Sequence, residues 1–284
     1  MDEPALESTA PSGPVDTLAK TVCCIKRDLA SSRPAAQIAE AVPAVPSDEF
    51  QIPGDDLQLL HRFASENPIY RDSHESVLHG IRCIVYEGDA NKYWLGSILH
   101  EASRAPFSPT WIASAYVLAR LVKGLGYRQV IDVGSGDGRI AFCASVLGMD
   151  AHGIEIDAEL ARLQEQLSRL SSFGAHCADA TEFDYAMMDS GLPAVVFVGG
   201  LAQMGGDVMA SGIMDRLAAA GRKMPGWVFA GTMSPKYAPD PEGMHGWGRT
   251  MRRAGLRHAG TAALPSAWTF NHADDTQYVF ASKP

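Results

Sequence analysis

The sequence has no uninterrupted apolar run near the roughly 20 residues that a membrane span needs. Its first residues, Met1, Asp2, Glu3 and Pro4, lack the basic start and apolar stretch of a signal peptide. Both absences lead one to expect a soluble, cytoplasmic protein with no membrane partner. The five cysteines, Cys23, Cys24, Cys83, Cys143 and Cys177, include no C-x-x-C pair, which argues against structural zinc and against a disulfide framework, so no metal site is expected. Cys143 and Cys177 lie in apolar stretches that read as core. Positive charge is scarce: 24 Lys and Arg stand against 33 Asp and Glu, and the net charge of -9 is spread fairly evenly, leaving no global footprint for nucleic acid. The local exception is Arg249, Arg252, Arg253 and Arg257, which reads as a solvated helix face or, alternatively, as a docking patch for an acidic partner.

Apolar content is also thin in residues 1–50, where Ala and Ser are punctuated by Pro4, Pro11, Pro14, Pro34, Pro43 and Pro46. Such a composition predicts a disordered tail, within which Val15, Leu18, Val22, Ile25 and Leu29 fall at the spacing of a short amphipathic helix. Trimming this tail is expected to leave stability nearly unchanged. Residues 51–107 are predicted to be a helical cap or extension: from Asp55 to about Arg104 there is no Pro-Gly hairpin signal, and Leu57, Leu60 and Phe63, then Tyr93, Leu95 and Ile98, fall at helical spacing. Ser108-Pro109 then suits the start of another helix, serine as N-cap and proline at the first position.

From Gly126 the pattern alternates. Strands are predicted at 129–133, 151–156, 194–198, 227–230 and 277–281; between them helices are marked by residues 139–147, by Leu160, Leu163 and Leu167 behind an Asp157 cap, and by Met209, Ile213 and Leu217. Strands alternating with helices imply an α/β, doubly wound, mostly parallel sheet carried by residues 108–284.

The segment Asp132-Val133-Gly134-Ser135-Gly136-Asp137-Gly138 closes the first of these strands and opens a helix, the place where α/β sheets bind nucleotides. A dinucleotide loop is G-x-G-x-x-G, whereas Arg139 stands here at the third glycine's place, and the lysine of a P-loop is missing. Asp132 and Asp137 would repel a pyrophosphate and suit a cationic amine and sulfonium. Glu155 follows about twenty residues after the loop, at a strand end where a carboxylate accepts both ribose hydroxyls of a nucleoside. Asp179 is a third acid, equally readable as a turn or helix cap.

These residues resemble the successive motifs of class I S-adenosylmethionine-dependent methyltransferases, over Ser108 to the C-terminus. The resemblance implies a seven-stranded, Rossmann-like sheet with one antiparallel strand, and S-adenosyl-L-methionine as cofactor. It implies that Asp132, Gly134, Ser135 and Gly136 hold the methionine part, that Glu155 binds ribose with Ile156 against the adenine, and that Asp179 and Ala180 meet the adenine amine. Phe107-Ser108-Pro109-Thr110 is similar to the Pro-Thr element ahead of the loop in archaeal protein-lysine methyltransferases, which adds Ser108 and Thr110 to the cofactor set.

On the acceptor side, family members that methylate amide or adenine nitrogens end strand four in Asn/Asp-Pro-Pro-Tyr. Here it ends Phe197-Val198-Gly199-Gly200-Leu201, which disfavours those substrates. Gly199 is read either as backbone access to the methyl group or as a flexible turn. Candidate catalytic residues are Gln203, Tyr237, Trp268 and His272, while Tyr93, Trp94 and Trp111 read as core packing or as an acceptor channel. Methyl transfer to a nitrogen or oxygen nucleophile is the leading reading, and the acidic net charge favours a protein acceptor, a lysine side chain, over nucleic acid. A catalytically silent cofactor-binding regulatory domain and an NAD-dependent oxidoreductase stay open as alternatives.

Overall fold

The computed structural model describes residues 14–31, 38–48, 50–88, 107–200, 202, 205–221, 223, 225–230, 246–266 and 275–284. The chain starts with helix α1 (Pro14–Ser31), strand β1 (Ile38–Pro43), helix α2 (Gly54–Glu66) and strands β2 (Tyr70–Leu78) and β3 (Ile81–Gly88). It continues with α3 (Ile112–Gly124), β4 (Gln129–Val133), α4 (Arg139–Val146), β5 (Asp150–Glu155), α5 (Ala158–Leu167) and β6 (Gly174–Cys177). Among the described residues the further α-helices and strands are β7 (Ala194–Val198), α6 (Gly206–Ala219), β8 (Gly226–Ala230), α7 (Gly248–Ala254), β9 (Arg257–Leu264) and β10 (Thr276–Ser282).

The large sheet has seven strands in the order β6-β5-β4-β7-β8-β10-β9. β10 runs antiparallel to both neighbours and the other pairings are parallel. This is the doubly wound, seven-stranded, mostly parallel sheet with one antiparallel strand that the resemblance led one to expect. Its central strands consist of residues such as Val130, Ile131, Val133, Val195, Val196 and Phe197, buried because helices cover both faces. Asp157 caps α5 as expected, accepting from the Glu159 and Leu160 amides. The chain direction of the strand order reverses at β4, so the crevice between loops opens at the carboxyl ends of β4, β5 and β7. Among the described residues no helix is long and apolar enough to cross a membrane.

The N-terminal third departs from the sequence reading. Residues 14–31 are not part of a disordered tail: Leu18, Val22, Ile25 and Leu29 of α1 are buried in the same core as Val130 and Phe142. Each such side chain contributes roughly 1.5–3 kcal/mol on burial. β1 is equally embedded, and it joins β2 and β3 in a three-stranded antiparallel sheet of order β1-β3-β2. Residues 70–88 are therefore a hairpin, not a helical cap. The turn is His79-Gly80, both with positive φ (50° and 74°), the backbone of a two-residue type I′ connection. The turn is moored to α1, because the His79 amide donates to Asp28 Oδ2 at 2.6 Å. β2 is an edge strand exposed along most of its length, so it carries little apolar signal to read.

Two smaller corrections have the same origin in tertiary context. Cys177 is exposed, because β6 is the sheet's edge and only four residues long. Arg257 is not on the helix with Arg249, Arg252 and Arg253 but opens β9, the other edge strand.

Docking at both ends of the chain reinforces this packing: Lys26 Nζ pairs with Asp275 at 2.9 Å, and Cys23 Sγ donates to the Ala263 carbonyl at 3.3 Å. A chain starting at residue 51 is thus expected to lose more than the stability margin of a typical domain, about 5–15 kcal/mol, and to be molten or insoluble. Urea unfolding of the two lengths checks this; a truncated protein melting within a few degrees of the full chain would show that α1 and β1 do not hold the core.

Candidate active site at the carboxyl edge of the large sheet

The loop after β4 is held open by backbone geometry. Gly136 has φ 59°, and a Cβ there would lie 2.4 Å from Cε2 of the Phe107 ring, so only glycine fits beneath that ring. Gly199 supports the loop from β7: its amide donates to the Val133 carbonyl at 2.8 Å, and a Cβ would approach the Gly134 carbonyl oxygen to 2.5 Å. Gln164 of α5, fully buried, donates to Ser135 Oγ and to the Gly136 carbonyl, each at 2.8 Å. Nothing in the amphipathic pattern of that helix distinguishes Gln164 as a loop support.

Glu155 ends β5 with both carboxylate oxygens accepting backbone bonds, Oε2 from the Gly136 amide at 2.8 Å and Oε1 from the Asp157 amide at 2.9 Å. Burial pushes its carboxyl above the ordinary range, and those two amides oppose the shift. With the Ile156 amide also bearing on the carboxylate, the two oxygens together retain acceptor capacity beyond these amides. Glu155 therefore also pins the loop, a role beyond ligand contact.

Asp132, at the penultimate position of β4, is only 2% exposed. The Ala141 amide donates to its carboxylate, while Oδ2 has no hydrogen-bond partner among the described residues. Burial, with Glu155 and Asp137 as negative neighbours, pushes its carboxyl well above the ordinary range. An unpartnered buried acceptor is costly, and a cation placed beside it would relieve both the burial and the repulsion.

Asp137 does something else. The sequence reading aimed it at the ligand with Asp132, but it is clamped from below: Arg139 Nε donates to Oδ1 at 2.9 Å, Arg139 Nη2 donates to Oδ2, and Asn67 Nδ2 donates to Oδ2 at 2.8 Å. The Arg139 guanidinium lies over the Phe63 ring at 5.8 Å, donates to the Thr110 carbonyl and stands 3.5 Å from Glu40. Glu40, buried in β1, accepts in turn from the Tyr70 hydroxyl and from the Ile112 amide. Burial raises its carboxyl and Arg139 opposes the shift.

This network overturns the expected cap at Ser108. The helix begins at Ile112 with Trp111 as N-cap residue, and Glu40 supplies the capping oxygen from a different sheet. The strand-like stretch before it is held across the site, with Thr110 bridged to Ser266 and the Trp111 amide bonded to the Pro265 carbonyl. Thr110 Oγ1 shares a hydrogen bond with the Tyr278 hydroxyl, which burial pushes up to about 12 and so keeps protonated.

The expected cofactor residues thus line up along one edge. Thr110, Asp132, Gly134, Ser135 and Gly136 gather around the loop, with Ser108 exposed beside them; Glu155 and half-buried Ile156 end β5, and Gly199 follows β7. Half-buried Asp179, after β6, accepts from the Thr181 amide at 2.8 Å and from its hydroxyl at 2.7 Å, so it shapes a turn, and the next residue, Ala180, is buried. Trp111 is 2% exposed and belongs to the core. Gln203, Tyr237, Trp268, His272, Tyr93 and Trp94 lie outside the described residues. No cluster of three metal-binding side chains is present among the described residues.

No protein-family model and no curated protein matches this chain. Among solved structures, a putative RNA methyltransferase from Pyrococcus horikoshii is similar at 16% identity and TM-score 0.42, over 61% of this chain and 81% of that one. The CcbJ methyltransferase of Streptomyces caelestis is similar at 13% identity and TM-score 0.42, over 60% and 95%. A Pyrococcus abyssi tRNA (uracil-54, C5)-methyltransferase is similar at 15% identity and TM-score 0.41; the matched part covers 60% of this chain but 38% of that one. Likenesses this distant say nothing of what this chain binds or acts on.

Because Glu40 is the only described partner joining β1, the α3 start and Arg139, Glu40→Ala should cost about 3–5 kcal/mol, the usual cost of removing one partner of a buried ion pair. Glu40→Gln, which keeps an acceptor for Ile112 and Tyr70, should recover part of it. Equal urea midpoints for Glu40→Ala and the parent protein would refute a supporting role.

Proposed function

We propose that this chain is an S-adenosylmethionine-dependent methyltransferase that transfers a methyl group to a nitrogen or oxygen nucleophile at the carboxyl edge of β4, β5 and β7. The observation that carries the reading is the unpartnered, buried Asp132 Oδ2 beside the glycine loop. Asp132, Asp137, Glu155 and Glu40 are all buried here, with Arg139 as the one buried cation among them. A pyrophosphate would add negative charge to this excess, which disfavours a nicotinamide dinucleotide. A cationic amino group or sulfonium offsets it.

When bound, S-adenosylmethionine supplies an activated methyl group on a sulfonium. The chain's residues then have defined tasks. Asp132 and the loop Gly134-Ser135-Gly136 hold the amino-acid end, with Thr110 alongside. The free acceptor positions of Glu155 take the ribose hydroxyls, Ile156 packs on the base, and Asp179 with Ala180 closes its far side. Gly199, without a side chain and exposed, leaves the acceptor an approach past β7. Such a transfer needs aligned donor and acceptor more than a strong base, so fixing the loop from beneath through Asp137 and Arg139 serves catalysis by orientation.

Titration calorimetry with S-adenosylmethionine tests the reading, and saturable binding is expected. Glu155→Ala should weaken it by roughly tenfold to a hundredfold, since hydrogen bonds to a charged group contribute about 1.5–3 kcal/mol. Tight NAD binding with no response to S-adenosylmethionine would refute it. Labelled methyl transfer into cell-extract fractions then separates an active enzyme from a silent binding domain.

The raised Asp132 carboxyl gives a pH signature. Its ionised form is the one a cation favours, so binding takes up a ligand and releases a proton. Affinity should therefore rise with pH as Asp132 ionises, up to the range of about 7.7–8.0 where the ligand's own amino group loses its proton. Asp132→Asn should bind more weakly and show a flat profile below that range. A parent protein whose affinity is independent of pH between about 5 and 7 would contradict the pairing.

A further inference from the structure

The acidic net charge hides a local reversal. Between residues 243 and 273 there is no Asp or Glu, and the stretch contains Arg249, Arg252, Arg253 and Arg257. All four are exposed. They lie on α7 and the start of β9, so they form a strip along one side of the large sheet rather than a patch on one helix face. The strip has a direction. Trp247 Nε1 donates to the Ala230 carbonyl at 2.6 Å, which fixes the start of α7 at the carboxyl end of β8, on the edge that carries the glycine loop. Arg257 pairs in register with Ser282, beside the Ala281–Trp227 pairing at the amino end of β8, so the strip ends at the opposite edge.

Helix electrostatics account for only half of these charges. Arg252 and Arg253 occupy the last turn of α7, where a cation meets the negative end of the helix dipole. Arg249 is the second residue, at the positive end, where a cation is unfavourable. It also stands three and four residues before Arg252 and Arg253, the spacings at which like charges on a helix repel. On α6, which packs against α7, Asp215 and Arg216 are both exposed, and Arg216 Nε donates to the Thr181 carbonyl at 2.9 Å. Arginine rather than lysine at all four positions suits phosphate, whose oxygens match the guanidinium fork.

We infer that the α7–β9 strip binds the sugar-phosphate backbone of a nucleic acid and leads it to the carboxyl edge of the sheet. The binding stands on charge and placement alone; that the bound strand carries the methyl acceptor rests on the reading of the site given above. The net charge of -9 is a poor guide here, because screening confines each field to about 8–10 Å at physiological salt.

Fluorescence anisotropy of the full-length protein with a short labelled single-stranded RNA, and with a duplex DNA of equal length, tests it over roughly 50–200 mM salt. Saturable binding to at least one is expected, with a log–log salt slope of about −2 to −3 for the single strand or about −3 to −4 for the duplex, as three or four neutralised phosphates give. The two arms tell which nucleic acid is bound. Arg249→Glu combined with Arg253→Glu and Arg257→Glu should lower affinity at least about tenfold at the lowest salt. Arg62→Glu, on exposed α2, should not. Melting temperature and S-adenosylmethionine affinity of the triple variant should match the parent. No binding of either nucleic acid, an unchanged affinity in the triple variant, or equal affinity for polyglutamate would overturn the inference. RNA binding that depends on the strip in a protein that does not bind S-adenosylmethionine would uphold the strip and fail the cofactor reading.

Discussion

Arg139 is a guanidinium with almost no access to water, and a charge so placed is tolerated only where its surroundings return what hydration would have given. Here they do so from four directions: Asp137 in its own loop, the Thr110 carbonyl before α3, Glu40 in β1 and the Phe63 ring in α2. Each belongs to a different element, so satisfying one side chain fixes the mutual placement of the small sheet, two helices and the glycine loop. The residue that ends the loop is thereby also the one that binds the N-terminal third to the large sheet. The loop's shape is then a property of the whole protein rather than of its five residues.

What the sequence made legible follows from where the physics is local. The central strands were readable because burial on both faces demands continuous apolar runs, as in residues 194–198, and Asp157 was readable as a cap because its acceptor serves amides two and three residues on. The glycine turn after β4 and the acid ending β5 were readable as neighbours because strand, glycine turn and following acid keep a fixed spacing. β2 was not, since an exposed edge strand has no apolar alternation to show, and its turn, His79-Gly80, is not among the common hairpin pairs. Glu40 sits in an Ala- and Pro-rich stretch that looks unable to fold, and its meaning depends on partners such as Tyr70 and Arg139, up to 99 residues away. Asp137 was misjudged for the same reason. Its spacing within the loop says where it is, but only Asn67 and Arg139 say which way it is satisfied.

The two aspartates of the loop thus divide the work that charge alone would have assigned to both. Asp137 spends its acceptors on protein donors and stiffens the turn, while Asp132 keeps one acceptor uncommitted in a dry place. Under the proposed function, preorganisation and recognition fall to neighbouring carboxylates that differ in whether their partners are already present. Glu155 stands between the extremes, bonded to two amides yet able to accept more.

The pairing of Lys26 with Asp275 spans 249 positions. α1 rests on α3 and β1 as well as on β9, but its partners Ala263 and Asp275 follow it by 240 and 249 positions. The part of its face that meets β9 therefore stays unsheltered until that strand is made, an interval in which exposed hydrophobic surface invites misassociation. Contacts of such long sequence separation also slow the final closure. In a growing chain, Lys26 can therefore be locked in place only after residue 275 has been made.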